Sequence, residues 1–157
     1  MKKILLSVFI LMFSVNVFAA KAQTHQAKEE AAIDALMTSW HKAFSNNSDI
    51  KAFSDALTDD AVLRGTDPNE SMTKDQMRDW MQHNTAAEFK ATKRVIHFSK
   101  RGDVAWVDED LSSPTYWSSR AVTVLEKIDG QWKIRFYSVL FAIPNASIPD
   151  IKPILFK

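Results

Sequence analysis

Apolar and polar residues alternate on both sides of Asp129-Gly130, with Val122, Val124 and Leu125 leading in and Trp132, Ile134 and Phe136 leading out. A type I′ turn needs positive φ at both central residues, which Gly meets freely and Asp tolerates, so the pattern predicts a two-residue β-hairpin. Its register sets Glu126 opposite Lys133, Val124 opposite Arg135 and Val122 opposite Tyr137 on one surface. Lys127 with Trp132, Leu125 with Ile134, Thr123 with Phe136 and Ala121 with Ser138 form the other. Side chains alternate with period two, so the second, more apolar surface is expected to face inward. A one-residue slip or a bulge would turn that assignment over.

Upstream, Ile33, Leu36, Met37, Trp40 and Phe44 recur at three and four, the stripe of an amphipathic helix beginning near Glu29, with Gln23 to Lys28 frayed before it. A second, short helix capped by Ser48 or Asp49 carries Ile50, Phe53 and Leu57. Ala61 to Arg64 reads as a strand and Gly65-Thr66-Asp67-Pro68-Asn69-Glu70 as a turn-rich loop. The third helix has a capping box, Thr73 with Gln76, flanked by Met72 and Met77. Phe89 to Ser99 and Val104 to Leu111 alternate as strands about Arg101-Gly102, which sets Arg94 against Glu109, Ile96 against Val107 and His97 against Trp106. Pro149 and Pro153 keep the apolar tail, 147–157, out of any inner strand. That tail is expected to pack on its own domain or on a partner subunit.

Three helices, an early strand and four long antiparallel strands make an α+β layout, a curved sheet with helices on one face forming a half-open cone. Of 157 residues, 46% are hydrophobic and 25% charged, the balance of one globular domain. Lys2 and Lys3 precede an apolar run from Ile4 to Val15, followed by Ala19, Ala20 and Ala22. This reads as a signal peptide over 1–22 and implies a secreted or periplasmic protein, with no membrane contact after cleavage and a single domain over 23–157. Its removal subtracts three lysines and no acid, taking the formal charge from +1 to −2. A near-neutral chain lacks the basic footprint of a nucleic-acid binder. Without cysteine there is no thiol nucleophile or thiolate metal site.

The order of these pieces resembles the nuclear transport factor 2-like superfamily, and within it the SnoaL-like group of small exported bacterial proteins. The resemblance spans about 29–146 and is carried by Trp40, Arg64 to Glu70, Ala105-Trp106-Val107-Asp108-Glu109 and Arg120. Val124 to Lys127, Asp129-Gly130, Trp132-Lys133-Ile134 and Ile143-Pro144-Asn145 complete it. It implies a conical fold with a pocket at its wide end, commonly a homodimer packed through the sheet. It does not imply a reaction. Enzymes of the superfamily place an Asp base with a Tyr or His partner in the pocket, and their motifs have no residue-by-residue match here.

A small apolar or amphipathic molecule is the expected ligand, with Trp40, Asp67, Trp80, Trp106, Arg120 and Tyr137 as candidate contacts. For the tryptophans core packing is the plainer role, most clearly for Trp40 and Trp132. Asp67 precedes a proline and is first a turn former, while Arg120 and Tyr137 fall on the outward face of the register above. Asp108 and Glu109 face opposite ways on one strand. Asp108 is the candidate general base of a rival reading, a cofactor-independent lyase, isomerase or cyclase, against the plainer role of a surface ion pair with Lys93 or Arg94. A third reading is a dimerisation module with its cavity filled by its own side chains. No histidine among His25, His41, His83 and His97 has a metal-site partner at a suitable spacing, and no zinc site is expected. Three glycines form no phosphate-cradling loop, and no cofactor is implied.

Overall fold

The computed structural model describes residues 24–116 and 118–155, so the expected signal peptide lies outside the described residues. The chain falls into two compact units that meet in sequence at Ala35 and Leu36. In the first, residues 24–35 are helical, earlier than the Glu29 start read from the apolar stripe. The reason is local: Gln26 Nε2 donates to Glu30 Oε1 at 3.0 Å and His25 lies 3.7 Å from Glu29, two i,i+4 pairs that stabilise polar helix surface. No helix among the described residues is long and apolar enough to cross a membrane.

In the second unit, helical residues 36–44 complete α1 (24–44), a 3-10 turn occupies Ser45–Asn47, and α2 spans Ile50–Asp55. Asp49 caps α2, its carboxylate accepting from the Ala52 N–H at 2.8 Å. Strands β1 (Leu57–Arg64) and β2 (Ser71–Thr73) follow, then α3 (Lys74–His83), β3 (Lys90–Phe98), β4 (Val104–Ser112), β5 (Ser119–Ile128), β6 (Gln131–Phe141) and α4 (Ile148–Leu155). The expected capping box is present in full: the Thr73 hydroxyl accepts from Gln76 N, and the Gln76 carbonyl oxygen accepts from Thr73 N. The early strand is longer than expected, because Leu57 belongs to β1 and not to the face of α2.

The strands form one curved, unclosed sheet in the order β2-β1-β6-β5-β4-β3. The β3-β4-β5-β6 meander is antiparallel, with Arg94 against Glu109 and His97 against Trp106 as expected, and β5 keeps the expected pairing with β6 from the turn as far as Leu125 and Ile134. β1 differs from the expected all-antiparallel sheet by joining β6 in parallel. The Asp129-Gly130 turn has φ of 50° and 79°, as its chemistry requires.

One irregularity decides which side chains face the helices. Leu125 pairs with Ile134 as expected, but Val124 pairs with Phe136, so Arg135 is an extra residue bulged out of β6. β1 shifts at the same level, between Leu57 and Val62. The Arg135 guanidinium is clamped on the outer face by Glu126 Oε2 at 2.6 Å and Asp60 Oδ2 at 2.7 Å. Beyond the bulge the alternation inverts. Tyr137 and Val139 are buried on the inner face, whereas Phe136 and Ser138, expected inside, are half-buried on the outer one. The inner face of β4 carries Ala105, Val107, Glu109 and Leu111, and that of β5 carries Ala121, Thr123 and Leu125.

Trp40 anchors helical residues 36–44 to this inner face. Its ring meets Tyr137 edge-on at 4.7 Å and stacks against Phe53 of α2 at 5.2 Å and Phe44 at 6.1 Å. Such pairs add about 0.5–1.5 kcal/mol each beyond the area they bury. Met37, Leu63, Met81, Val107 and Ile134 complete the apolar interior of this unit.

Candidate functional site

A cavity of about 360 Å³ opens within the second unit. Its apolar walls are Trp40 and Phe44 of α1, Met77 and Trp80 of α3, Phe89 ahead of β3, and Tyr137 of β6. Arg64, Thr66 and Glu70 of the β1-β2 hairpin, together with Glu88, form its more exposed polar edge.

Several local devices build this space. Asn46 and Asn47 both have φ of 54°, a left-handed conformation that Asn tolerates better than most residues. This reversal lets Asn46 N donate to Ala86 O at 3.2 Å, while the Asn47 amide donates to Met81 O at 2.5 Å and to Asn84 O. The Asn47 carbonyl oxygen accepts from Ala86 N at 2.9 Å. One side chain thus pins the end of α3 to the 85–89 segment, and both line the cavity. In the β1-β2 loop, the Glu70 carboxylate folds over Gly65 into the space a Cβ would take and accepts from Asp67 N at 3.1 Å. Gly65 N donates to Glu70 O at 3.1 Å, closing the hairpin loop.

Behind Tyr137 lies a buried ionic cluster. Glu109, 2% exposed, accepts from His41 Nε2 at 2.9 Å through Oε2, and from Arg94 Nε at 2.8 Å through Oε1. Arg94 Nη1 also donates to Thr38 Oγ1 at 3.0 Å. Burial pushes the Glu109 carboxyl upward, but the His41 hydrogen bond and charge and the Arg94 guanidinium outweigh it and hold the group below the usual carboxylate range. Burial, and then the negative charge of Glu109, push ionisation of the Tyr137 hydroxyl well above its usual value. Tyr137 is therefore a proton-bearing donor at any working pH.

The structure sorts the sequence candidates by the face they occupy. Trp40, Trp80 and Tyr137 line the cavity. Tyr137 corrects its outward expectation because the Arg135 bulge precedes it. Trp106 does not line the cavity: it is 40% exposed on the outer face of β4, stacked on His97 at 5.1 Å. Asp108, the candidate base, is outward too, 3.2 Å from His97. Where the plainer reading of this strand expected Lys93 or Arg94 beside Asp108, the group beside it is His97. The inward carboxylate is Glu109, and Arg94 meets it in the interior and not at the surface. Arg120 is exposed beside Asp110 at 3.4 Å, since even-numbered residues of β5 face out. Asp67 stays a turn residue, accepting from Asn69 N at 2.8 Å, while its neighbours Thr66 and Glu70 reach the cavity. Among the described residues no cluster of ligating groups could hold a metal ion.

Phe44, Met77, Phe89 and Arg64 escaped the sequence reading of the cavity, as did the role of His41. For His41 a signal existed: Thr38 and His41 stand three apart, a polar pair on one helix face next to the apolar stripe.

A family model described as a SnoaL-like domain matches residues 33–144. No curated protein matches the chain. Among solved structures, a nuclear transport factor 2-like protein of unknown function from Pseudomonas putida superposes with a TM-score of 0.60 at 17% identity, covering 77% of this chain and 92% of its own. A nuclear transport factor 2-like protein from Cytophaga hutchinsonii gives 0.62 at 17% identity, covering 72% and 98%. A cystatin-like protein of unknown function from Nostoc punctiforme gives 0.61 at 14%, covering 74% and 92%. At these identities the likeness shows a nuclear transport factor 2-like fold, and the family model takes in most of the chain: the protein belongs to the SnoaL-like domain family.

Proposed function

We propose that this protein binds a small, largely apolar molecule in the cavity walled by Trp40, Phe44, Met77, Trp80, Phe89 and Tyr137. The observation that carries the reading is the volume, about 360 Å³, bounded in large part by aromatic and thioether side chains. Ligand pockets commonly run to about 300–1,000 Å³ with such a lining. The rival lyase or isomerase reading loses its residue, because Asp108 lies on the other side of the sheet and the inward Glu109 is already held by His41 and the Arg94 guanidinium. The pattern of residues 1–22 supports action outside the cytoplasm after export. Titration with the uncharged fluorophore N-phenyl-1-naphthylamine tests the binding. Saturable one-to-one binding is expected, lost in Ala87→Phe, which fills the cavity from its wall; no saturable binding by the native chain would refute the reading.

A second reading concerns the outer face, and a specific row of residues favours it. His97, Trp106, Val124, Phe136 and Val62 stand side by side across five strands, and Val122, next to them on β5, is 42% exposed. An apolar stripe of this extent is best covered by a second copy of the chain, giving a homodimer packed sheet to sheet. Light scattering on a sizing column should return twice the chain mass, and Trp106→Glu with Val122→Lys should return the monomer.

A further inference from the structure

His97 and Asp108 meet on the outer face of the sheet, with the imidazole Nε2 3.2 Å from Asp108 Oδ2. The imidazole also lies flat on Trp106, ring centroids 5.1 Å apart and planes 12° from parallel. The register sets Asp108 between Val95 of β3 and Val122 of β5, which are 39% and 42% exposed, with Trp106 two residues away on its own strand. A carboxylate thus stands inside the apolar patch read above as the surface for a second copy. Water solvates the pair in the single chain, where the two side chains are 40% and 54% exposed. Covering the patch removes that water, and a desolvated carboxylate then needs a cation in its place.

We propose that sheet-to-sheet packing takes up protons, one on His97 of each copy, so that the homodimer tightens as pH falls from about 8 to about 6, through the ordinary range of histidine. This rests on the dimer reading above and adds its regulation.

The groups around the pair leave the titration to His97. In the adjoining row Asp110 lies 3.4 Å from Arg120 of β5 and stands across from Lys93 of β3. Lysine and arginine keep their charge throughout this interval, so neither lends the interface a pH dependence. On the other flank Glu126 is held by Arg135, and the loop after β3 pairs Arg101 with Asp103 at 3.0 Å. β3 is the last strand of the sheet, so no further strand faces His97 from that side. A two-fold dimer buries the pair in both copies, and for histidines of ordinary affinity the linked protons strengthen association about tenfold across the interval.

Sedimentation of a dilution series at the two pH values, at one salt concentration, tests this. The native dimer should dissociate at an about tenfold lower concentration at the lower pH. His97→Gln should dimerise equally at both. Asp108→Asn should invert the order and dimerise better at the higher pH, because a protonated His97 then has no carboxylate to face; a pair that merely shapes the surface would not reverse a pH profile. Thermal melting confirms that both variants fold, and Glu109, held below the usual carboxylate range, takes up no proton in this interval. Equal dissociation constants of the native protein at the two values, or a pH dependence that survives His97→Gln, overturns the proposal and leaves the dimer standing. A monomer at both values fails the sheet-to-sheet reading first and this inference with it.

Discussion

Glu109 and His41, 68 residues apart in sequence, meet at 2.9 Å where neither side chain reaches solvent to more than a few per cent. Arg94 completes the arrangement on the other carboxylate oxygen, so a helix residue and a neighbouring strand converge on one buried charge. Truncating one partner of such a set leaves buried charge uncompensated, at about 3–5 kcal/mol.

Glu109→Ala is accordingly expected to cost about 3–5 kcal/mol in urea denaturation. The pH dependence has a defined sign. A carboxyl held below its ordinary 4.5 in the fold contributes stability that is complete above that value and is lost as pH falls through the lowered one. The melting temperature of the native chain should therefore drop on acidification below that range, and Glu109→Gln should show a smaller drop. An identical acid profile in the two proteins would contradict the assignment.

Asp108→Asn should be nearly silent. The carboxylate is half exposed and its partner His97 is 40% exposed, so the change should fall within about 0.5 kcal/mol, and binding of N-phenyl-1-naphthylamine should keep its affinity. Loss of ligand binding on this substitution would place the site on the wrong face of the sheet.

The bulge at Arg135 predicts opposite weights for two adjacent aromatic residues. Tyr137→Ala empties a buried position against Trp40 and should cost about 3–5 kcal/mol. Phe136→Ala, on the outer face, should cost clearly less, measured in the Trp106→Glu, Val122→Lys double variant so that any sheet-to-sheet packing does not enter. Denaturant midpoints of the two, compared on that background, give the answer directly, and the strictly alternating register would reverse the ranking.

Asn47 offers a test of how the cavity wall is held. Asn47→Ala removes three hydrogen bonds and puts Ala at a φ of 54°, and a loss of about 1–3 kcal/mol with weaker fluorophore binding is expected. Asn47→Gly keeps the backbone conformation at ease and should recover part of the stability but not the affinity. If the glycine variant recovers both, the side chain is not what holds the 85–89 segment.

Much of the architecture was legible because the signals for it are short-range. Turn residues with positive φ, a capping box and period-two alternation act over a few positions, so the Asp129-Gly130 hairpin, the start of α3 and the pairing of Arg94 with Glu109 could be read directly. The candidate site was legible only in part. Trp40 and Trp80 followed from their place on amphipathic helices, but Trp106, Asp108 and Arg120 depended on which face of a strand turns inward. For β4 the residue pattern leaves that choice open, because Trp106 on one face balances Val107 and Leu111 on the other.

By itself the chain determined the α+β layout, the register of β3 with β4, the register of β5 with β6 from their turn as far as Leu125 and Ile134, and the helix caps, since each rests on interactions between residues close in sequence or directly opposite across a turn. Tertiary structure alone decided the inward turn of Tyr137 and Glu109. The first depends on Arg135 being held outside by Asp60 from β1 and Glu126 from β5, and the second on His41 and Arg94 arriving from a helix and another strand to meet a charge that could not otherwise be buried.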